Sequence, residues 1–336
     1  MKETLSSISK RLGYSTATIS RVLNGKGKSA RISEETQKII LDEAKRCKYV
    51  PNKLAQDLKK KKTSTIGLVL PSISNKYFSD IANVIIEEAN KSSYTTLVVN
   101  YSENEEQERK ILKSLISRRV DGIIISPSGK NQKLIEEINA NNMPVVLIDR
   151  YFVPCQTNYV TTNNYDGGKQ GTNILIDNGH KKIVCIQGVN SSMPNNRRVQ
   201  GYIDSMKEAK LEEYIEITGN DFSIENGYLE TKILLSKINK PDAIFALSNT
   251  IVLGCIKAIR EAGLKIPEDI SIVSYDDNPY LDYLNPSITR IGQMTGEMAR
   301  LATKMLFDNI KKESKIINHL ELTPQVIIRE SVKNRL

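Results

Sequence analysis

The sequence predicts an α/β protein with an all-α N-terminal headpiece, a helix-turn-helix unit followed by two doubly wound parallel-sheet lobes. Three observations predict it. Residues 1–50 carry apolar side chains at helical spacing only, interrupted by glycines. From residue 65 onward, β-branched apolar runs alternate with amphipathic helical stretches, and the whole alternation occurs twice. The charge divides at the same place. Residues 1–63 hold 16 Lys and Arg against 6 Asp and Glu, whereas the other 273 residues hold 32 against 33.

The elements follow in order. Leu5, Ile8 and Leu12 define a first helix stopped by Gly13, and Ile19, Val22 and Leu23 define a second that opens after Ser15 and stops at Gly25. A third begins after Ser33, with Glu34 and Glu35 in its first turn and Ile39, Ile40 and Ala44 on its apolar face. Pro51 opens one more short helix, Asn52 to about Leu58, which runs into the four lysines 59–62. Strands are predicted at Ile66–Leu70, Thr96–Val99, Gly122–Ile125 and Val145–Ile148. After a seam near Val160–Asn164 they recur at Ile183–Ile186, Tyr214–Ile217, Ala243–Leu247 and Ile270–Val273. Helices fall between them, for example Val199–Ala209 and Ile251–Ala262, and Met294–Lys312 followed by Gln325–Arg329 adds a last helix and one strand. Open parallel sheets bind ligands at the carboxyl ends of their strands, so two facing lobes imply a cleft between them.

A length of 336 residues exceeds one ordinary core, and 39% hydrophobic residues suffice to fill several. A basic module on a neutral body points to a polyanionic partner, nucleic acid above a membrane surface. Cys47, Cys155, Cys185 and Cys255 are far apart and form no C-x-x-C pair, so neither a disulfide framework nor a zinc knuckle is expected. The N-terminus has no apolar export core and no stretch reaches membrane-spanning length, which predicts a cytoplasmic protein. Gly27-Lys28-Ser29 lacks the earlier glycine and the strand of a phosphate-binding loop, and Gly167-Gly168-Lys169-Gln170-Gly171 is no dinucleotide fingerprint. With only His180 and His319 and no nucleophile motif, no catalytic residue, metal site or cofactor is expected.

Residues 4–25 carry the helix-turn-helix pattern, two short amphipathic helices joined by a glycine turn. The run Ser15–Gly25 within it, Val50-Pro51-Asn52-Lys53-Leu54-Ala55-Gln56-Asp57-Leu58 and Thr65-Ile66-Gly67-Leu68-Val69 together resemble the lactose/galactose repressor family of bacterial transcription regulators. The resemblance continues through Ile73-Ser74-Asn75-Lys76-Tyr77-Phe78, where the family usually has proline at Lys76. It extends to Arg198-Val199-Gln200-Gly201-Tyr202 and to Ile266-Pro267-Glu268-Asp269-Ile270-Ser271-Ile272-Val273-Ser274-Tyr275-Asp276-Asp277. It implies lobes of periplasmic-binding-protein type and three regions. These are a DNA-binding domain over 1–49, a hinge helix and linker over 50–63, and an effector-binding and dimerisation domain over 64–336. The implied lobes cover about 64–162 with 292–324 and about 163–291 with 325–336.

The same resemblance places Thr16, Ala17 and Arg21 where the family reads bases, and Thr18, Ser20 and Asn24 where it touches phosphate. A guanidinium bonds guanine O6 and N7 together, so Arg21 is the strongest reader, with a phosphate clamp as its alternative role. Asn52, Ala55 and Leu58 match the hinge helix, whose leucine wedges into the minor groove; the alternative for Leu58 is the core of the first lobe. Gly25–Ser33 is about three residues longer than in the family, which leaves its phosphate contacts open. Tyr77 and Phe78 with Phe222 match rings packed against an effector, and Arg198, Asp276 and Gln293 match its polar contacts. An aromatic at a strand end also serves as core, and Asp276 also suits a helix cap. At Ser248-Asn249, also matched to the effector site, the family usually has Asn-Asp, so the effector's identity does not carry over.

Three functions remain. The leading one is a homodimeric regulator reading a near-palindromic operator, a repressor of carbohydrate-utilisation genes controlled by a small-molecule effector, expected to be a sugar. A purine or nucleoside effector on the same scaffold is its alternative. A stand-alone sugar receptor, which would need export, and an enzyme, which would need a nucleophile or cofactor motif, are the other classes.

Overall fold

The structure is a computed structural model and describes residues 3–49, 62–311 and 316–336. The chain divides into two compact units, residues 1–63 and 64–336.

The first unit contains helices α1 (Leu5–Leu12), α2 (Thr16–Leu23) and α3 (Glu34–Arg46). Each begins on a hydroxyl that accepts an otherwise orphaned amide, Thr4 from Ser7, Ser15 from Thr18 and Ser33 from Thr36. Gly13 ends α1 at φ 75°, a left-handed conformation that glycine adopts without a Cβ clash. Ile8, Ile19, Val22 and Ile40 form the core. Arg11 ties the outside by bonding Glu3 at 2.6 Å and Glu43 at 3.1 Å. The expected fourth helix over Asn52–Leu58 lies outside the described residues.

The second unit holds two six-stranded sheets. The first has β1 (Thr65–Leu70), β2 (Thr95–Asn100), β3 (Gly122–Ile125), β4 (Val145–Ile148), β5 (Asn158–Thr162) and β11 (His319–Leu322), in spatial order β11-β5-β4-β3-β1-β2. The second has β6 (Ile183–Ile186), β7 (Glu216–Thr218), β8 (Ala243–Ala246), β9 (Ser271–Tyr275), β10 (Thr289–Gly292) and β12 (Gln325–Ile327), in order β12-β10-β9-β8-β6-β7. Every pairing is parallel except β12 on β10. β3, β4, β6 and β8 are buried throughout, as expected of strands covered on both faces.

Helices supply the cover. On the first sheet, α4 (Lys76–Lys91) and α11 (Thr295–Lys311) pack on one face, and α5 (Glu105–Ser117) and α6 (Gln132–Ala140) pack on the other. On the second, α7 (Asn164–Asp177) and α8 (Met193–Glu208) form one layer, and α9 (Ile224–Ser236) and α10 (Asn249–Glu261) form the opposite one. α7 and α8 touch through glycines. A Cβ on Gly168 would meet the Arg198 carbonyl, and one on Gly201 would meet that of Tyr165.

Several expectations are corrected. The seam near Val160–Asn164 contains the chain crossing at Asn163, but it opens with the end of β5, an unexpected further member of the first sheet. Two of the buried polar side chains of β5 are satisfied internally: Thr161 Oγ1 donates to the Asp149 carbonyl at 2.6 Å, and Asn158 Oδ1 accepts from the Asn318 amide at 2.7 Å. The C-terminal region adds β10 and β11 as well as β12. Tyr214 belongs to a short 3-10 turn, Glu212–Tyr214, so the strand there starts only at Glu216.

The lobes are joined by three chain crossings: Asn163 before α7, Gln293–Met294 before α11, and 323–324 between β11 and β12. They run side by side. The Asn163 amide donates to the Leu322 carbonyl at 2.8 Å, and Gly292 pairs in register with Gln325.

Candidate nucleic-acid interface and effector cleft

On the headpiece, Thr16, Ala17 and Arg21 are exposed along α2, whose buried face is Ile19 and Val22. Thr18 and Ser20 are half-buried. The Thr18 hydroxyl lies 2.8 Å from that of Ser15, and Asn24, exposed at the C-cap, donates to the Ser20 carbonyl at 2.7 Å. The helix therefore presents polar and small side chains on the side opposite its core, the arrangement required to enter a groove. Asn52, Ala55 and Leu58 lie outside the described residues.

In the second unit a cavity of about 450 Å³ opens between the lobes. Its walls include seven of the expected effector residues: Tyr77, Phe78, Arg198, Phe222, Ser248, Asp276 and Gln293. Asn249 is not in the lining. Its amide donates to Asp276 Oδ2 at 3.3 Å, while its own side chain is buried. Ser248 caps α10 by accepting from the Ile251 amide at 3.1 Å. Arg198 is 4% exposed and held at two of its three nitrogens. Its Nε donates to Asn164 Oδ1 at 2.7 Å and its Nη1 to the Leu247 carbonyl at 2.8 Å, with the guanidinium 3.7 Å from the centre of the Tyr275 ring. The glycine crossing of α7 and α8 makes that reach possible, because Arg198 and Asn164 stand on the two helices.

Sequence reasoning missed Asp149, Arg150 and Glu103, all in the cavity wall. Asp149 follows the last residue of β4 just as Asp276 follows that of β9, and these strands hold equivalent places in the two sheets. Both carboxylates are nearly buried, and both backbones are left-handed, at φ 65° and 72°. Aspartate tolerates that region at a cost, and its recurrence at matched cleft positions marks a site where the chain is held for a purpose. Burial pushes the Asp149 carboxyl up, against the pull of Arg150 and Arg198. Leu147-Ile148-Asp149 and Ser274-Tyr275-Asp276 share only the aspartate, so the correspondence appears when the two sheets are aligned and not in the sequence.

The comparisons with known proteins bear on both regions. Residues 172–332 match the family described as a periplasmic binding protein-like domain. Over 335 residues the chain is 32% identical to the HTH-type transcriptional repressor PurR of Pasteurella multocida (strain Pm70), covering 99% of this chain and 99% of that one. The chain belongs to the lactose/galactose repressor family. It is a DNA-binding transcription regulator of that family and not an enzyme. Among solved structures, the Lac repressor dimer bound to operator and the anti-inducer ONPF matches with a TM-score of 0.89. The match covers 99% of this chain and 100% of that one at 24% identity, an agreement of fold. A LacI family transcriptional regulator from Enterococcus faecium with bound ribose matches with a TM-score of 0.75 at 27% identity, over 81% of this chain and 100% of that one. The chain described above thus has the two-lobed α/β body and the helical headpiece that its sequence predicted. Among the described residues, no helix is long and apolar enough to cross a membrane.

Proposed function

We propose that this regulator is a homodimeric repressor of carbohydrate-utilisation genes that binds a near-palindromic operator and responds to a sugar held between its lobes. In this reading Thr16, Ala17 and Arg21 read bases, and Thr18, Ser20 and Asn24 touch phosphate. The domain boundaries are those expected from the sequence: 1–49, 50–63 and 64–336. The observation that carries the sugar reading is the pair Asp149 and Asp276, one from each lobe, facing one cavity beside Arg150 and Arg198. A sugar hydroxyl both donates and accepts. Alternating carboxylates and guanidiniums satisfy both demands on neighbouring hydroxyls, while Phe78 and Phe222 offer faces to the C–H side of a ring. The bound ribose of the Enterococcus faecium regulator supports the same assignment.

A purine effector is the second reading, favoured by the name of the Pasteurella multocida relative and by Phe222, on which a flat base would stack. A melting-shift screen of the purified protein against pentoses, hexoses, small oligosaccharides, nucleobases and nucleosides separates the two. Stabilisation by a carbohydrate, followed by altered operator affinity with that sugar, is the expected result. Stabilisation by a nucleobase with no carbohydrate response overturns the sugar reading.

A further inference from the structure

The cleft holds more acid than hydroxyl recognition requires. Among the described residues its lining includes Glu103, Asp149, Asp221 and Asp276 against two cations, Arg150 and Arg198, with no lysine or histidine. Asp149 and Asp276 are accounted for above. Glu103 is different, because it is spent on one of the cations.

Glu103 lies beyond the end of β2, where Ser102 and Glu103 adopt φ 51° and 55°. Two successive left-handed residues with side chains are costly, and here they turn the Glu103 carboxylate onto Arg150. Arg150 Nη1 donates to Oε2 and Nη2 to Oε1, each at 2.7 Å. The side chain of Arg150 is 6% exposed and that of Glu103 39%, so a fixed guanidinium meets a carboxylate that keeps an open side. Tyr101 backs the same fork at 3.4 Å, and across the cavity the Phe222 ring centre lies 5.9 Å from the guanidinium carbon. An effector between the lobes therefore meets Arg150 with its two terminal nitrogens already engaged.

This matters for charge. A phosphate group is recognised by an unoccupied guanidinium fork, through two parallel charged hydrogen bonds. Here Glu103 fills that fork. The other cation, Arg198, is committed to Asn164, the Leu247 carbonyl and the Tyr275 ring. A phosphate ester would bring a dianion among four carboxylates, with the Nη1/Nη2 edge of Arg150 already closed by Glu103 and only single N–H donors left beside it, which suit a hydroxyl. An uncharged hydroxyl meets no such repulsion.

We infer that Glu103 is a specificity-determining residue: by occupying the Arg150 fork it confines the cleft to uncharged sugars and excludes their phosphate esters. The inference rests on the sugar reading of the cleft and deepens it to a substrate class.

The test uses the full-length protein and the variants Glu103→Gln and Glu103→Ala. The first keeps size and an acceptor while removing the charge; the second guards against a folding defect in the first. Probes are D-ribose, D-ribose 5-phosphate, D-glucose, D-glucose 6-phosphate and inorganic phosphate, at ionic strength fixed with chloride, read by melting shift and calorimetry. The wild type is expected to ignore all three phosphate-bearing probes. Both variants are expected to bind at least one of them about tenfold or more tightly than the wild type does, the scale of one additional ion pair. Wild-type preference for an ester over its parent sugar, or folded variants that reject phosphate as the wild type does, would overturn the inference. If no carbohydrate binds any of the proteins while phosphate still separates variants from wild type, the sugar reading fails and the role of Glu103 as an anion barrier stands.

Discussion

The Tyr77 hydroxyl lies 3.2 Å from Gln293 Oε1, linking the first lobe to the crossing that leaves β10. The same hydroxyl is 2.8 Å from Asp149 Oδ1, and Gln293 Nε2 donates to Asp276 Oδ1 at 2.6 Å. Two side chains, Tyr77 and Gln293, thus stand between the matched carboxylates of the two lobes. Burial, reinforced by the charges of Asp149 and Asp276, pushes the Tyr77 pKa far up, so the phenol stays a donor at physiological pH. Tyr77→Phe removes a hydrogen bond to a charged group. It should weaken effector binding by roughly 10–100-fold in calorimetry, with a folded body by circular dichroism. An unaltered affinity would show that the phenol contributes nothing to recognition.

Asp276→Ala should abolish the effector's influence on operator binding. The carboxylate accepts from the Asn249 amide as well as from Gln293, so its loss unties the start of α10 from the link between the lobes. Operator titrations with and without the sugar found by the screen read this directly. A normal response in the variant would place the signal elsewhere.

Arg21→Ala should cost on the order of 1–3 kcal/mol at the cognate operator and relax preference at one base pair in each half-site. Its exposure on α2 leaves the fold of the headpiece unaffected. A uniform loss across unrelated DNA sequences would make Arg21 a phosphate contact instead.

Operator affinity should fall steeply with salt, because residues 1–63 carry the entire positive excess and binding releases counterions. Residues 64–336 alone should bind sugar and lose operator binding. The longer turn after α2 belongs to this test. Lys26, Lys28 and Arg31 are exposed on it, and hydrogen bonds donated by the Ala30 amide to the Lys26 carbonyl (3.0 Å) and by the Ile32 amide to that of Gly27 (3.0 Å) give it a defined shape. Replacing the three cations with alanine should flatten the salt dependence if the turn lies against the backbone. An unchanged slope would exclude it from the interface.

Acid stability offers a test away from the cleft. Asp282 accepts from Arg290 Nη1 and Nη2 at 2.9 Å each and from Arg329 Nε at 2.7 Å, and these bonds lower its pKa from the ordinary 3.8 to about 2. Between those values the unfolded chain takes up the proton first. The contribution is therefore fully present above pH 4 and lost as pH falls toward 2. Asp282→Asn should lower the melting temperature near neutrality and show a shallower decline on acidification than the wild type. Parallel curves would mean that the cluster adds no pH-dependent stability.

What could be read from the sequence was what local rules encode. Hydroxyl caps, glycine stops and apolar spacing gave the three headpiece helices, and β-branched runs gave the central strands. The strands that escaped lack an apolar run of their own, either because partners elsewhere in the chain satisfy buried polar residues or because the strand is an exposed edge. β10 carries Arg290, 2% exposed, which Asp277 and Asp282 neutralise from elsewhere in the chain. β11 is a sheet edge with alternating exposure and no apolar run. Asp149 and Arg150 follow an ordinary strand and stand out only when the lobes are superposed. Glu103 has no local signal at all, since its meaning lies in meeting a guanidinium 47 residues away.

The three adjacent crossings have a consequence for how such a protein changes over evolutionary time. A door hung on a single pin can swing and twist, but one hung on three pins in a row can only swing. Three strands of chain leave the lobes little freedom beyond opening and closing about one line, whatever molecule sits between them. Substitutions in the cleft walls then alter which compound drives the movement without altering the movement itself. A scaffold of this kind can acquire a new chemical input while its output stays the same.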